Sequence, residues 1–275
     1  METKSTSRCF GGTQGVYTHA SAATGTDMTF ALFLPEEAAI GPVPLLWFLS
    51  GLTCTHENAM TKAGAQQWCA AQGIAAVFPD TSPRGDGVAN DDAYDMGQGA
   101  GFYIDATQDP WKPHFQMETY ITRDLTDLLA AEFALDMDRQ GITGHSMGGH
   151  GALTLAMKYP GRYRSASAFS PICHPTASDW GRKQFTGYLG ADANWTAHDA
   201  TLLMQSKGFN GPILIDQGTD DQFYDLLNTS DFAAACAQRR QDATIRLQKG
   251  YDHSYFFIAS FIEDHVDFHA QALYA

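Results

Sequence analysis

Three side chains widely separated along the chain could together cleave an acyl bond. Ser146 lies in Gly144-His145-Ser146-Met147-Gly148, a G-x-S-x-G pattern that follows a short β-type segment (residues 140–143) and precedes a helical one (147–157). That strand, sharp turn, helix context is the one in which this motif presents a nucleophilic serine. The turn forces the serine into a strained backbone, and Gly144 and Gly148 let the flanking chain approach without Cβ atoms in the way. The Met147 backbone N–H then opens the helix and points at the position where an oxyanion would develop.

A serine hydroxyl needs a base to take its proton and a carboxylate to orient that base. In strand-to-helix elbows of this kind the chain order is Ser, then Asp or Glu, then His, so the partners are sought after residue 146. His253 sits in Lys-Gly-Tyr-Asp-His-Ser (249–254), between the last expected strand and the last expected helix, where a base belongs. For the acid, Gln-Gly-Thr-Asp-Asp-Gln-Phe (217–223) follows a strand and puts Asp220 and Asp221 on its turn. Asp221 is the choice, with Asp220 as its solvated neighbour; spacing alone leaves the reverse assignment open. A second oxyanion donor should come from the loop after an early central strand, and in Ser50-Gly51-Leu52-Thr53 the Leu52 backbone N–H fits. Cys54 is a site neighbour with no base beside it in sequence, and His145 is expected to buttress the elbow. His150 and His174 read as local hydrogen-bonding residues. His265 and His269 are four apart on the last helix and could share a face as metal ligands, but no third ligand accompanies them, so a solvated face and no metal are expected.

The elements that would hold these residues alternate. Residues 26–35 alternate apolar with smaller or polar side chains, as in a half-buried antiparallel N-terminal strand; 43–49 is a continuous apolar run that suits a central strand covered on both faces. Helix formers fill 59–72 up to Gly73, and 74–78 is a strand stopped by Pro79. Residues 80–113 hold no period and read as a long ordered loop carrying Tyr94, Phe102, Tyr103 and Trp111. An amphipathic helix spans 121–133. After the elbow helix come a strand (163–169), an excursion (170–198), a strand (212–216), a helix (229–239), a strand (243–247) and a closing helix (254–270). The fold class expected is α/β: one domain over 1–275, with a mainly parallel central sheet and helices on both faces. The long loop runs at about 80–115.

Composition narrows the partners. Of 275 residues, 17 are Lys or Arg and 31 Asp or Glu, a net charge of −14 that disfavours nucleic acid and anionic membrane surfaces. No apolar run approaches a membrane span, and residues 1–7 lack a signal-peptide pattern. The five cysteines (Cys9, Cys54, Cys69, Cys173, Cys236) have no CxxC spacing and an odd count, against a disulfide framework. A reducing cytoplasm is the expected location.

Longer runs carry a more specific likeness. Residues 47–66 (WFLSGLTCTHENAMTKAGAQ), 79–85 (PDTSPRG), 99–110 (GAGFYIDATQDP), the GHSMGGHGAL elbow, SPICHP at 170–175 and GYDHSYFFI at 250–258 closely resemble the S-formylglutathione hydrolases, or esterase D family, of the α/β-hydrolases. The likeness spans nearly the whole chain and departs mildly around 224–230 and at the extreme N-terminus. It implies Ser146 as nucleophile, Asp221 as acid, His253 as base, and the Leu52 and Met147 amides as oxyanion hole. It also implies hydrolysis of S-formylglutathione to formate and glutathione in formaldehyde removal, side activity on short-chain esters, no cofactor, and thiol-reagent sensitivity at Cys54. Similar proteins are often dimers, so a homodimer is an expected assembly. A small acyl pocket should be walled by bulky groups, for which Trp180 and Phe102 are the candidates. Glutathione carboxylates call for a cation at the mouth, with Lys62, Arg84, Lys112, Arg182 and Lys183 as unranked candidates. A generalist carboxylesterase or acyltransferase on the same fold is the alternative, because a fold does not fix the acyl group or its acceptor. A catalytically inactive scaffold protein is the other, and the intact triad argues against it.

Overall fold

Strand β4, Val43–Leu49, buries all seven of its residues, so it can lie only in the interior of a sheet covered on both faces. In the computed structural model, which describes residues 1–191 and 195–275, it does. Strands β5 (Ala75–Pro79) and β6 (Leu135–Gly144) flank it in parallel, and β7 (Tyr163–Phe169), β8 (Ile213–Gly218) and β9 (Ala243–Gln248) continue the parallel run. On the other side β3 (Asp27–Leu34) pairs antiparallel with β5, followed by β2 (Gly12–Ala20) and β1 (Glu2–Cys9). The order in the single sheet is β1-β2-β3-β5-β4-β6-β7-β8-β9.

Alternate residues of β4 face two apolar layers. Leu46 and Phe48 pack with helices α1 (His56–Lys62), α2 (Ala65–Gln72) and α10 (Tyr255–Leu273). Leu45, Trp47 and Leu49 face the layer formed by α4 (Leu125–Glu132), α5 (Met147–Lys158), α7 (Ala200–Ser206) and α9 (Thr229–Arg239). Full burial of a side chain the size of Trp47 or Phe48 contributes about 2–3 kcal/mol, which makes this strand the anchor of both layers.

The structure amends several sequence expectations. The helix expected over 59–72 is two helices, because Gly64 takes a left-handed backbone (φ 73°) between α1 and α2. A short turn α3 (Met117–Thr119) and a π turn at Tyr120–Asp124 precede α4, so the regular helix starts later than the apolar spacing predicted. Strands β1 and β2 were not anticipated. The excursion over 170–198 contains an eleven-residue helix, α6 (Asp179–Leu189), capped by Ser178, whose Oγ accepts from Gly181 N at 3.0 Å; its residues 192–194 lie outside the described residues. Helix α7 and the short α8 (Tyr224–Leu227) complete the list of named helices.

The long loop is tied down rather than merely laid over the surface. Tyr188 of α6 accepts from Gly97 N and donates to Ala100 O, both at 2.8 Å. Asp95, almost wholly buried, accepts from Lys183 Nζ and Gln184 Nε2 at 2.7 Å each. Loop and α6 therefore form one cap over the carboxyl ends of the strands.

Candidate active site

Ser146 stands at the carboxyl end of β6, between it and α5, with φ 57° and ψ −117°. A non-glycine residue held there costs on the order of 1–3 kcal/mol, which the surrounding packing must sustain. It does so by close approach: a Cβ on Gly148 would lie 1.9 Å from Leu49 O, so only glycine lets α5 start against the end of β4. Ser146 N donates to Phe169 O at 3.0 Å, locking the elbow to β7. The side chain opens into a cavity of about 320 Å³ at the carboxyl ends of the strands.

His253 follows β9 and lines the same cavity. Its Nδ1 hydrogen-bonds Asp221 Oδ2 at 2.7 Å. Asp221 is buried on the turn after β8, where Oδ1 also accepts from Phe223 N at 2.8 Å and Oδ2 from Gln217 Nε2 at 3.1 Å. Burial by itself would raise the Asp221 carboxyl, but the hydrogen bond and charge of His253 and the Phe223 amide outweigh it, so its pKa lies below the ordinary carboxylate value. Asp220, the neighbour that spacing could not exclude, is exposed to solvent. The two loops meet because a Cβ on Gly218 would lie 2.3 Å from Tyr251 O, which brings the aspartate turn against the histidine turn. No hydrogen bond joins His253 to Ser146 Oγ; such bonds are commonly long in unliganded sites and tighten around substrate.

The amides of Leu52 and Met147 have no acceptor among the described residues. Thr53 N and Cys54 N are committed to Gly99 O (2.9 Å) and Gly51 O (3.4 Å), whereas Leu52 N between β4 and Thr53 has no acceptor among the described residues. Met147 N is the first amide of α5 and so has no intrahelical acceptor. Gly51 abuts the nucleophile, since a Cβ there would stand 3.2 Å from Ser146 Cβ.

Of the expected pocket residues, Cys54, His145 and Trp180 line the cavity, together with Tyr94, Phe223, Leu227 and Tyr255. Phe102 does not. It is 2% exposed and lies behind Trp180, edge-on at 6.5 Å between ring centroids, and it also contacts His150 and Tyr188. It supports the wall from behind. The His145 ring packs 4.4 Å from that of His253, and burial, followed by the neighbouring imidazole, holds its pKa well below the usual histidine value. Burial raises the Cys54 thiol, which lies 4.0 Å from Tyr255 OH, so this cysteine is not activated as a nucleophile. Shortening Trp180 to Ala should open the cavity towards longer acyl groups. The kcat/KM ratio of butyrate to acetate aryl esters should rise about tenfold, the scale of one or two methylenes in an apolar pocket; an unchanged ratio would remove Trp180 from the wall.

His265 and His269 depart from expectation. They are wholly buried on the face of α10 that meets the sheet: His265 contacts Ser167 Oγ (2.9 Å) and Asp216 Oδ2 (3.1 Å), and His269 contacts Ser165 Oγ (2.7 Å) and Ser167 Oγ (2.8 Å). Asp216 is in turn paired with Arg246, which reaches Asp264. These histidines join α10 to β7 and β8 beneath the nucleophile instead of facing solvent. Among the described residues, no three His, Cys, Asp or Glu side chains gather as a metal site.

Known proteins place this geometry in a family. The Esterase family model matches residues 21–268. The S-formylglutathione hydrolase of Paracoccus denitrificans is 64% identical over 273 residues, 99% of this chain and 98% of that protein. The chain belongs to the S-formylglutathione hydrolase family. The Mus musculus S-formylglutathione hydrolase is 50% identical over 276 residues, covering 98% of each chain. A solved S-formylglutathione hydrolase from Agrobacterium tumefaciens superposes with a TM-score of 0.96 at 45% identity, over 99% of this chain and 100% of that one. The α/β-hydrolase fold expected from sequence is therefore the fold of this hydrolase family.

Proposed function

We propose that the chain hydrolyses S-formylglutathione to formate and glutathione, the step that completes glutathione-dependent removal of formaldehyde. Ser146 Oγ attacks the formyl carbon as His253 Nε2 takes its proton; Asp221 accepts the Nδ1–H and stabilises the imidazolium. The Leu52 and Met147 amides receive the oxyanion. Collapse breaks the C–S bond, and the glutathione sulfur leaves with the proton held by His253. Water then adds to the formyl-serine with the same histidine as base, and formate departs. No metal or organic cofactor enters this sequence of steps.

The observation that carries this function is the His253–Asp221 contact at 2.7 Å, opening with Ser146 onto one small cavity, in a chain this similar to hydrolases of that name. A cavity narrowed by Trp180 and Tyr255 suits a one-carbon acyl group. Incubating the purified protein with S-formylglutathione should release one glutathione thiol and one formate for each thioester consumed. Consumption without free formate, with the acyl group on an added alcohol or amine, would make it a transferase.

The long loop (80–115) and the excursion (170–198) are proposed as one functional cap within a single domain spanning 1–275. A homodimer is proposed from the family resemblance, to be read by light scattering. A cytoplasmic setting is proposed from the free state of all five cysteines; no helix among the described residues is long and apolar enough to cross a membrane.

A further inference from the structure

The five basic side chains considered for the glutathione carboxylates are not equally available. Arg84 Nε bonds both oxygens of Asp80 at 3.0 and 3.1 Å, and its Nη2 donates to Cys54 O at 2.8 Å. Arg182 is paired with Asp179 and donates to Thr176 O at 2.8 Å. Lys183 is paired with Asp95 at 2.7 Å. Lys112 is exposed in the long loop and lines neither the catalytic cavity nor the groove beside it. Lys62 alone of the five combines exposure and the lack of an ion pair among the described residues with a place beside the site: it ends α1 and lines that groove. Its Nζ lies 6.0 Å from the centroid of the Tyr255 ring.

Tyr255 is a partition. One side lines the cavity of Ser146, and the other lines a second, largely apolar groove of about 650 Å³ with Lys62, Ser254, Phe256 and Ala259. Phe256 is 85% exposed on the floor of that groove. Asn58, one helical turn before Lys62 on α1, reaches the catalytic cavity; its Oδ1 accepts from Thr55 N at 2.9 Å, and its Nδ2 has no partner among the described residues.

We infer that the groove beyond Tyr255 is a subsite for a carboxylate-bearing arm of the thiol leaving group, with Lys62 as the residue that pairs the carboxylate and Asn58 Nδ2 as a donor to the peptide between. This rests on the S-formylglutathione assignment above. The glutathione carboxylates lie about two to three residue lengths from its sulfur, roughly 7–10 Å of extended chain. Positions i and i+4 of a helix stand ~5–6 Å apart on one face, so a chain that leaves the cavity past Asn58 arrives at Lys62. An ammonium resting over an aromatic face keeps N–H donors for an anion. In a chain of net charge −14, screening over ~8 Å makes this nearby unpaired cation, rather than the global field, the determinant of carboxylate binding.

The test compares kcat/KM for S-formylglutathione and for its diethyl ester, which lacks both carboxylates. The wild type should prefer the diacid by about two- to fivefold, the upper range for a partly exposed charge pair. Lys62→Gln should abolish that preference through KM, with kcat nearly constant, whereas Lys62→Arg should keep it. Lys62→Glu should reverse it. An undiminished preference in Lys62→Gln would overturn the inference. Competitive inhibition of aryl acetate hydrolysis by glutathione provides a readout independent of thioester turnover. If the wild type fails to hydrolyse S-formylglutathione, the substrate assignment falls; the subsite is then judged by this inhibition constant, which should rise about two- to fivefold in Lys62→Gln. An unchanged constant would remove it.

Discussion

Replacing Ser146 by Ala should lower kcat for both thioester and aryl ester by about 10⁵–10⁶-fold, because a nucleophile and its base act as a unit and what remains is oxyanion stabilisation and binding. The substitution removes one oxygen from a cavity-facing side chain, so the thermal midpoint should move little and the loss can be assigned to chemistry. Asp221→Asn should cost about 10⁴-fold, since an amide opposite Nδ1 favours the wrong tautomer of His253. Both figures come from steady-state kinetics of purified variants. Retention of more than a few per cent of activity by Ser146→Ala would move the nucleophile elsewhere. Cys54 would then be the first place to look, although its raised thiol pKa and buried position argue against it.

The second large effect is acid destabilisation that begins near neutrality. His145, His150, His198 and His269 are buried or largely so, and burial lowers all four pKa values well below the usual histidine value, that of His150 to about 3 and that of His198 to about 4. For groups depressed in the folded state, the unfolded chain binds protons first. Stability is therefore complete above the unfolded pKa of about 6.5 and falls as pH drops below it, by up to ~1.4 kcal/mol per pH unit for each histidine. Four such groups give a loss on the order of 5 kcal/mol between pH 7.5 and 5.5, or about 10–15 °C in Tm. Asp80 and Asp105, whose carboxyls are raised by burial, act in the opposite sense, but only near their own titration at lower pH. Asp216, lowered to about 2 despite its burial by its bonds to His265 and Arg246, adds a further loss as pH falls below about 4. Urea unfolding at the two pH values measures the effect directly. Equal stability at pH 7.5 and 5.5 would mean that these histidines are charged or solvated in the native protein. His269→Gln should flatten the slope by at most about one quarter of its value, since His19, His56 and His265, also lowered by burial, add to the four.

The sequence was most informative where burial and local geometry coincide. β4 could be read because its apolar content is continuous, and the elbow because its glycines are required by contacts as close as that of Gly148 with Leu49 O. β1 could not be read: Glu-Thr-Lys-Ser-Thr-Ser-Arg-Cys is almost wholly exposed and is a strand only because it pairs with β2. Helix α6 was hidden because Gly181 and Gly187 interrupt its pattern; at Gly181 a Cβ would come within 2.2 Å of Pro175 O, so close packing outweighs helix propensity there.

At the site, order along the chain and turn chemistry were enough to point to Ser146 and His253, which line one cavity, and to Asp221, which hydrogen-bonds His253. Depth was not readable. By sequence Phe102 and Trp180 both read as aromatic residues in irregular stretches, yet only Trp180, on α6, reaches the cavity, with Phe102 of the long loop behind it. His265 and His269 carried no sign that serines on β7 would satisfy them inside the protein. The five candidate cations could be ranked only once their acidic partners were visible, since Asp80, Asp95 and Asp179 each claim one of them.

The most direct test of the central claim is a comparison of kcat/KM for S-formylglutathione and for a short aryl acetate, using the same enzyme preparation with Ser146→Ala as the blank. The account predicts a much larger value for the thioester, because only that substrate combines a one-carbon acyl group with a leaving group that extends past Asn58 to Lys62. Equal or faster turnover of the aryl ester would contradict it and leave a generalist esterase on the same scaffold.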